Sequence, residues 1–443
     1  MKKYFNKLLI FFVVYIPLFA QWLDTVIFLP DTVYYPKSIC YNPVNNKFYV
    51  TLTTRDSVVI FDGSTYQKIT ILPVGDWPNS LCYNPVNNKI YCANFASHNI
   101  TVIDGSTDSV LKIIAPGKWP SLYYNIYNNR IYCGTNHTTV TIIDGATDSI
   151  LAIIRVGNIP TAFCYNPRNN KIYCANFASH NITVIDGSTN AVLNTVAVGR
   201  APVALCYNTR DNKIYCANFY DSTVTIIDGV TDSILTTVHT GEHPTSLSYN
   251  PITNKIYCCN RGDATVTVID GASNSIVKNI SLVYQMEISY CNTINNKVYL
   301  FGGGPIHIID GEIDSVIKKI SPHDRSGNSC FSWDSIHNRT FCAGDFYYSE
   351  SSRASFVAVI RDSIPNAIEE TKPFTQFTSL SSPAIIRDIS RLRGILLGGI
   401  LLDPTGRKVV DSKSANIRNL KRGIYFLIPN TRTKLPRKII FLK

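Results

Sequence analysis

Charge is thin along this 443-residue chain, with Asp, Glu, Lys and Arg at 16% of the residues, and methionine occurs only twice. Helical periodicity is missing from the body of the sequence, which points to an all-β fold. Catalytic signatures are missing too: there is no Gly-x-Ser-x-Gly turn and no His-Glu-x-x-His helix. The thirteen cysteines contain no Cys-x-x-Cys spacing, and the adjacent Cys258 and Cys259 are not a metal-binding arrangement. One long apolar run occurs, at residues 8–20, and it is shorter than the roughly 20 residues a membrane-spanning helix needs.

Lys2, Lys3 and Lys7 precede that run, which is the layout of a secretory signal peptide. The reading is a signal peptide over residues 1–20, cleaved after Ala20, and a mature chain without a transmembrane segment. The formal net charge of +11 invites a nucleic-acid partner, but its distribution argues against one. Fifteen of the 42 Lys and Arg, against five of the 31 Asp and Glu, fall in residues 369–443. With the three leader lysines set aside, 24 basic and 26 acidic groups remain in the body, which therefore has no footprint for a phosphate backbone.

What the sequence does have is repetition. Residues 87–107 recur letter for letter at 169–189. Asp-Gly pairs begin at Asp62, Asp104, Asp144, Asp186, Asp228, Asp270 and Asp310, 40 or 42 residues apart. A second mark, a basic residue two before an aromatic, stands at Lys47, Lys89, Arg130, Lys171, Lys213, Lys255, Lys297 and Arg339, which makes eight units. The eighth is eroded, reading SWDSIHNRTFC where others read YNPVNNKIYC. Within one unit, 80–83, 89–93, 100–103 and 110–114 are short runs rich in Ile, Val, Tyr and Cys between Asn-Pro, Asn-Asn, Asp-Gly and Pro-Gly turns. Four strands in each of these periods predict a β-propeller of four-stranded blades, eight by count, with seven as the alternative if the eroded unit packs elsewhere. Residues 23–29 read as a fourth strand, and the eighth unit stops after its third, so the N-terminal strand is expected to close the ring. The propeller is assigned to residues 21–364, a Pro-, Ser- and Thr-rich linker to 365–390, and a small β-sandwich-like domain to 391–443.

The segment IYCANFASHNITVIDGST resembles the YVTN repeat family of bacterial and archaeal β-propellers. That resemblance implies a secreted or surface-layer propeller and no particular activity. The tail, with ILLDPTGRKVV, LKRGIYFLI and RKIIFLK, resembles the C-terminal sorting domain of type IX secretion substrates. The matching residues are Asp403, Gly406, Arg407, Gly423, Ile424, Tyr425 and Phe426. The resemblance implies the outer-membrane secretion machinery as a partner and a secreted or cell-surface location.

An up-down-up-down blade puts its first and third turns at one end of the ring, and its second turn and inter-blade link at the other. The first and third turns vary little and read as turn chemistry, with Asn and Asp bonding nearby backbone and Gly accepting positive φ. One carboxylate per turn falls short of the oxygens calcium needs. The opposite end varies and gathers Trp77, Phe95, His98, Trp119, His137, Phe177, His180, Phe219, Tyr220, His243 and Arg261. These residues are the expected ligand face, suited to sugar rings or a protein partner. His98, His137 and His180 occupy equivalent loops, and blades stacked about 10 Å apart hold them too widely for one ion, so no metal or cofactor is expected. The cysteines recur at core positions, six after the second-strand aromatic and four before the first-strand Tyr, and read as buried thiols, with Cys82 and Cys92 as a candidate pair. The functional expectation is a non-catalytic binding scaffold. A propeller enzyme of lactonase, glycosidase or quinone-dependent type, and a purely structural coat component, are the alternatives.

Overall fold

A computed structural model describes residues 21–29, 35–135, 137–322, 326–349 and 352–362, together with strands at 384–386, 399–402, 408–411, 423–429 and 437–441. The leader reading over residues 1–20 lies outside the described residues. The chain divides into two compact units, residues 1–368 and 369–443. In the second, Ala384–Ile386, Gly399–Leu402, Lys408–Asp411, Gly423–Pro429 and Arg437–Phe441 form a five-stranded sheet. Ala384–Ile386 falls inside the stretch read as linker and runs parallel to Arg437–Phe441.

The first unit is a β-propeller of eight four-stranded antiparallel sheets. Seven blades use four consecutive strands, as in blade 2 with Pro78–Asn84, Lys89–Asn94, Asn99–Asp104 and Val110–Ile114. The eroded last unit is a full member of the ring. Its strands Ser326–Asp334, Arg339–Ser349 and Ser352–Asp362 are completed by the N-terminal strand Gln21–Phe28, with Leu23 opposite Ile360 and Phe28 opposite Phe356. First strands of neighbouring blades touch all the way round, and Ile39–Asn42 of blade 1 meets Ser326–Asp334 of blade 8.

Why the sequence folds this way is visible in the burial pattern. In blades 1 to 7 the second strand is almost wholly buried, and the third nearly so, because both of their faces lie against adjacent sheets. Cys40, Tyr49 and Ile60 of blade 1 share a core with Leu81, Ile90 and Cys92 of blade 2. A single blade cannot cover these faces alone, so burial makes the ring cooperative. The fourth strands lie at the rim, where Leu111, Leu151, Leu193 and Leu235 are exposed.

A polar latch crosses these apolar interfaces near one end of the ring. Lys47 Nζ donates to Asp108 of the next blade at 2.7 Å, and the buried Tyr49 hydroxyl donates to the same carboxylate at 2.9 Å. Lys89 and Tyr91 do the same to Asp148, Lys171 and Tyr173 to Asp232, and Lys255 and Tyr257 to Asp314. Burial, then the neighbouring carboxylate, pushes each of these four phenols far above its usual range. Where the acceptor is Asn190 or Asn274, Arg130 or Lys213 is the cation. At the closure, Arg339 of blade 8 donates to Gly63 O and the Tyr66 hydroxyl of blade 1. A ladder of buried amides runs beside the latch: Asn42 donates to Asn88 at 2.8 Å, Asn84 to Asn129 at 2.9 Å and Asn166 to Asn212 at 2.9 Å.

The glycine of the Asp-Gly pair has a different role from the one its turn suggested. Among the described residues only Gly117 and Gly304 are glycines with positive φ, and the left-handed positions fall on Asn88 and Asp108. Gly105 is required by close approach, since a Cβ there would lie 2.6 Å from Asn88 O. The first Asp of each turn caps it: Asp104 Oδ1 accepts from the Ser106 and Thr107 amides, and the Thr107 amide is the main reason its carboxyl lies below the usual range. None of the thirteen cysteines is in a disulfide. The candidate pair Cys82 and Cys92 is ruled out by register, because Cys82 stands opposite Tyr91 and Cys92 opposite Leu81, which puts the two on opposite faces of the sheet. Burial pushes the Cys82 thiol up to about 12, far from the thiolate form.

Two predictions test this frame. Asp148→Ala strands the Lys89 ammonium and the Tyr91 hydroxyl and should cost about 2–4 kcal/mol in urea unfolding. Asp148→Asn, which copies the natural Asn190 and Asn274, should cost less than about 1.5 kcal/mol; equal losses would show that the latch carries no weight. Asp362, at the foot of the closing blade, accepts from Tyr299 and from Asn292 but leaves Oδ1 without a partner. Burial pushes its carboxyl up to about 6. A folded-state value above the unfolded one gives a contribution that is complete at low pH and lost as pH rises through about 6. The stability of Asp362→Asn relative to the parent should therefore grow by about 1–3 kcal/mol between pH 4 and 7; a difference independent of pH would contradict it.

Candidate functional site

The end of the ring opposite the latch is built by one repeated backbone device. In six links the residue before a proline takes a left-handed conformation: Tyr35, Trp77, Trp119, Ile159, Ala201 and His243 all have φ between 47° and 56°. In blades 2, 4, 5 and 6 its carbonyl accepts the amide of the first residue in the second turn of the same blade. Phe95 donates to Trp77 O at 2.9 Å, Phe177 to Ile159 O at 2.8 Å, Phe219 to Ala201 O at 2.9 Å, and Arg261 to His243 O at 3.0 Å. Left-handed φ is rare for large residues, and for β-branched Ile159 it is an outlier. The staple fixes where these side chains leave the surface and leaves their identity free.

The residues expected at this end of the ring fall into separate groups. Trp77, Phe95 and Trp119 make a stacked row across the links and turns of blades 2 and 3, with ring centres 6.5 and 5.1 Å apart and planes within 22° and 11°. Trp77 is 55% exposed and Trp119 42%, while Phe95 between them is half-buried. A second group lies on blades 4 to 6, where Phe219 stacks on His243 at 4.6 Å and meets Tyr220 edge-on, and Tyr220 also touches Phe177. Arg261 stands apart, paired with Glu287 at 3.3 Å.

Two of the three equivalent histidines have turn roles. His98 Nδ1 lies 2.9 Å from Phe95 O, and His180 Nδ1 lies 3.0 Å from Phe177 O and 3.1 Å from the Ala201 amide. Because Nδ1 of His180 cannot both donate to the carbonyl and accept from the amide, one tautomer closes the turn and the other holds the link. His137 is exposed in the equivalent turn of blade 3. Among the described residues, no group of three or more His, Cys, Asp and Glu could hold a metal ion.

A cleft of about 600 Å³ opens beside the row, lined by Trp77 and Phe95 together with Tyr35, Lys37, Thr53, Thr54 and Asn79. The last five were not anticipated. Tyr35 carries the same signal as Trp77, an aromatic immediately before proline in a link, but it precedes the first complete repeat. Of the sorting-motif residues, Asp403, Gly406 and Arg407 lie outside the described residues. Gly423, Ile424, Tyr425 and Phe426 lie in strand Gly423–Pro429, of which the backbone pairing alone is described.

No protein-family model matches the chain, and no curated protein matches it significantly. Among solved structures, the chain is similar to Saccharomyces cerevisiae Sqt1, with a TM-score of 0.63 and 10% identity over 74% of this chain and 97% of that one. At that identity, and with 1730 chains matching, the likeness speaks for the propeller fold and for nothing narrower. No helix among the described residues is long and apolar enough to cross a membrane.

The aromatic row gives a direct prediction. Phe95→Ala should leave the indoles of Trp77 and Trp119 unsupported and raise acrylamide quenching of the tryptophan fluorescence. Phe177→Ala, in the identical segment without flanking tryptophans, should leave quenching unchanged. Equal quenching in the two variants would refute the stack.

Proposed function

We propose that the propeller is a non-catalytic binding scaffold that takes a glycan or protein partner on the end of the ring carrying the second turns and links. The observation behind this reading is the row of Trp77, Phe95 and Trp119. Large aromatic rings held in register and left uncovered carry binding energy at recognition surfaces, where they present apolar faces at little entropic cost. The opposite end of the ring is occupied by its own hydrogen bonds, so the variable end is where a partner can be recognised without loss of fold.

The proposal extends to the setting. The YVTN-like repeats, the lysine-then-apolar leader and the tail with Asp403, Gly406, Arg407 and Gly423–Phe426 support an exported protein at the cell surface, with the tail as its address to the outer-membrane machinery.

The test is binding of the purified full chain to an array of glycans and surface polymers, in parallel with Trp77→Ala/Trp119→Ala. The expected outcome is at least one partner whose affinity falls tenfold or more in the double variant. If every partner of the parent binds the variant equally well, the wrong end of the ring has been chosen.

A further inference from the structure

We propose that the cleft beside Trp77 is a subsite for an acidic sugar, a pyranose that carries a carboxylate. The inference deepens the binding reading above and rests on it. Three features of the walls specify complementary features of an occupant. Trp77 and Phe95, with Tyr35, supply aromatic faces, which ask for an apolar, flat-sided ligand such as the C–H face of a sugar ring. Asn79 Oδ1 is buried in the wall and has no hydrogen-bond partner, so it asks for a donor such as a ring hydroxyl. Lys37 is exposed at the cleft, forms no ion pair among the described residues, and no carboxylate lines the cleft with it, so it asks for an anion.

The other polar groups nearby are already committed, which narrows the choice. Thr53 Oγ1 donates to Pro78 O at 2.9 Å, and Asp56 turns its Oδ1 to the Trp77 amide at 2.9 Å. A single ammonium with no arginine in the walls suits a carboxylate better than a phosphate, which draws several donors. The volume of about 600 Å³ lies inside the range of small-ligand sites. Trp119 lies outside the cleft, on the far side of Phe95, so a longer chain of sugars would leave the subsite along the aromatic row.

The experiment uses the full chain and isothermal titration with two acidic probes, oligogalacturonate and oligoguluronate, each paired with its neutral methyl-esterified form. The expected result is that at least one acidic probe binds tenfold or more tightly than its ester, and that Lys37→Gln removes this preference while leaving ester binding unchanged. Asn79→Ala should weaken the acidic and esterified forms alike, by about threefold or more. If the parent prefers no acidic probe over its ester, or if Lys37→Gln leaves the preference intact, the acidic-sugar assignment falls. In that event, array partners still lost in Trp77→Ala/Trp119→Ala would keep the face, and array partners unaffected there would remove the face as well.

Discussion

Every blade of this ring is an incomplete object until its neighbour arrives. Tyr49 shows the constraint at one residue: its ring is fully buried in the apolar seam with blade 2, and its hydroxyl has to be satisfied there. Asp108 satisfies it from the next blade, and the ammonium of Lys47 makes a charge at that depth tolerable by pairing with the same carboxylate. A buried ion pair contributes little net energy compared with an apolar substitute, but its geometry is directional. An apolar seam alone would tolerate sliding of one sheet over another. The Lys, Tyr and Asp latch, with the amide ladder from Asn42 to Asn88, leaves one register per interface.

The two ends of the ring consequently evolve under different rules. At the latched end, Asn88 Oδ1 accepts from Asn42 while its Nδ2 donates to Asn45 and Ser106, and Asp104 caps its own turn. Almost every side chain there has a structural partner, which is why those turns repeat so closely. At the other end the recurring contact is backbone to backbone, from the second-turn amide to the link carbonyl, and it is indifferent to the side chain. The same staple carries Trp77, Ile159, Ala201 or His243. Variation is cheap at that end, and chemistry collects there.

The sequence was legible where the period carried the information. The four strands of blade 2, the completion of blade 8 by Gln21–Phe28 and the burial of the cysteines all follow from repeat spacing and alternation. The latch was written in the same period but across it: Lys47 and Asp108 are 61 positions apart in the chain and meet through blade packing, a separation that no local pattern reports. Its trace is the recurrence of a basic residue and a Tyr in one unit with a second Asp, or an Asn, in the next. The cleft was hidden for another reason. Tyr35 and Lys37 belong to the first link, before the repeats establish themselves, and Asn79 differs from the other residues after the link proline, such as Thr161 and Thr245.

The two identical segments, 87–107 and 169–189, carry the sharpest lesson about where recognition resides. Phe95 and Phe177 begin the same turn in the same conformation, with the same histidine closing it three residues on. Phe95 stands between Trp77 and Trp119 and becomes the centre of a stacked row, whereas the corresponding neighbours of Phe177 are Ile159 and Ala201, and its aromatic contact is Tyr220. The histidines diverge as well, since His180 receives the Ala201 amide and His98 has no counterpart of that bond. A duplicated turn therefore does not duplicate a site. The link residues on either side decide what the turn presents, and the seven blades that follow a described link carry six different residues at that position, with Trp shared by blades 2 and 3. A ring built from near-copies can in this way present an asymmetric surface, with its aromatic row confined to blades 2 and 3, without altering a single residue of the latch that holds it closed.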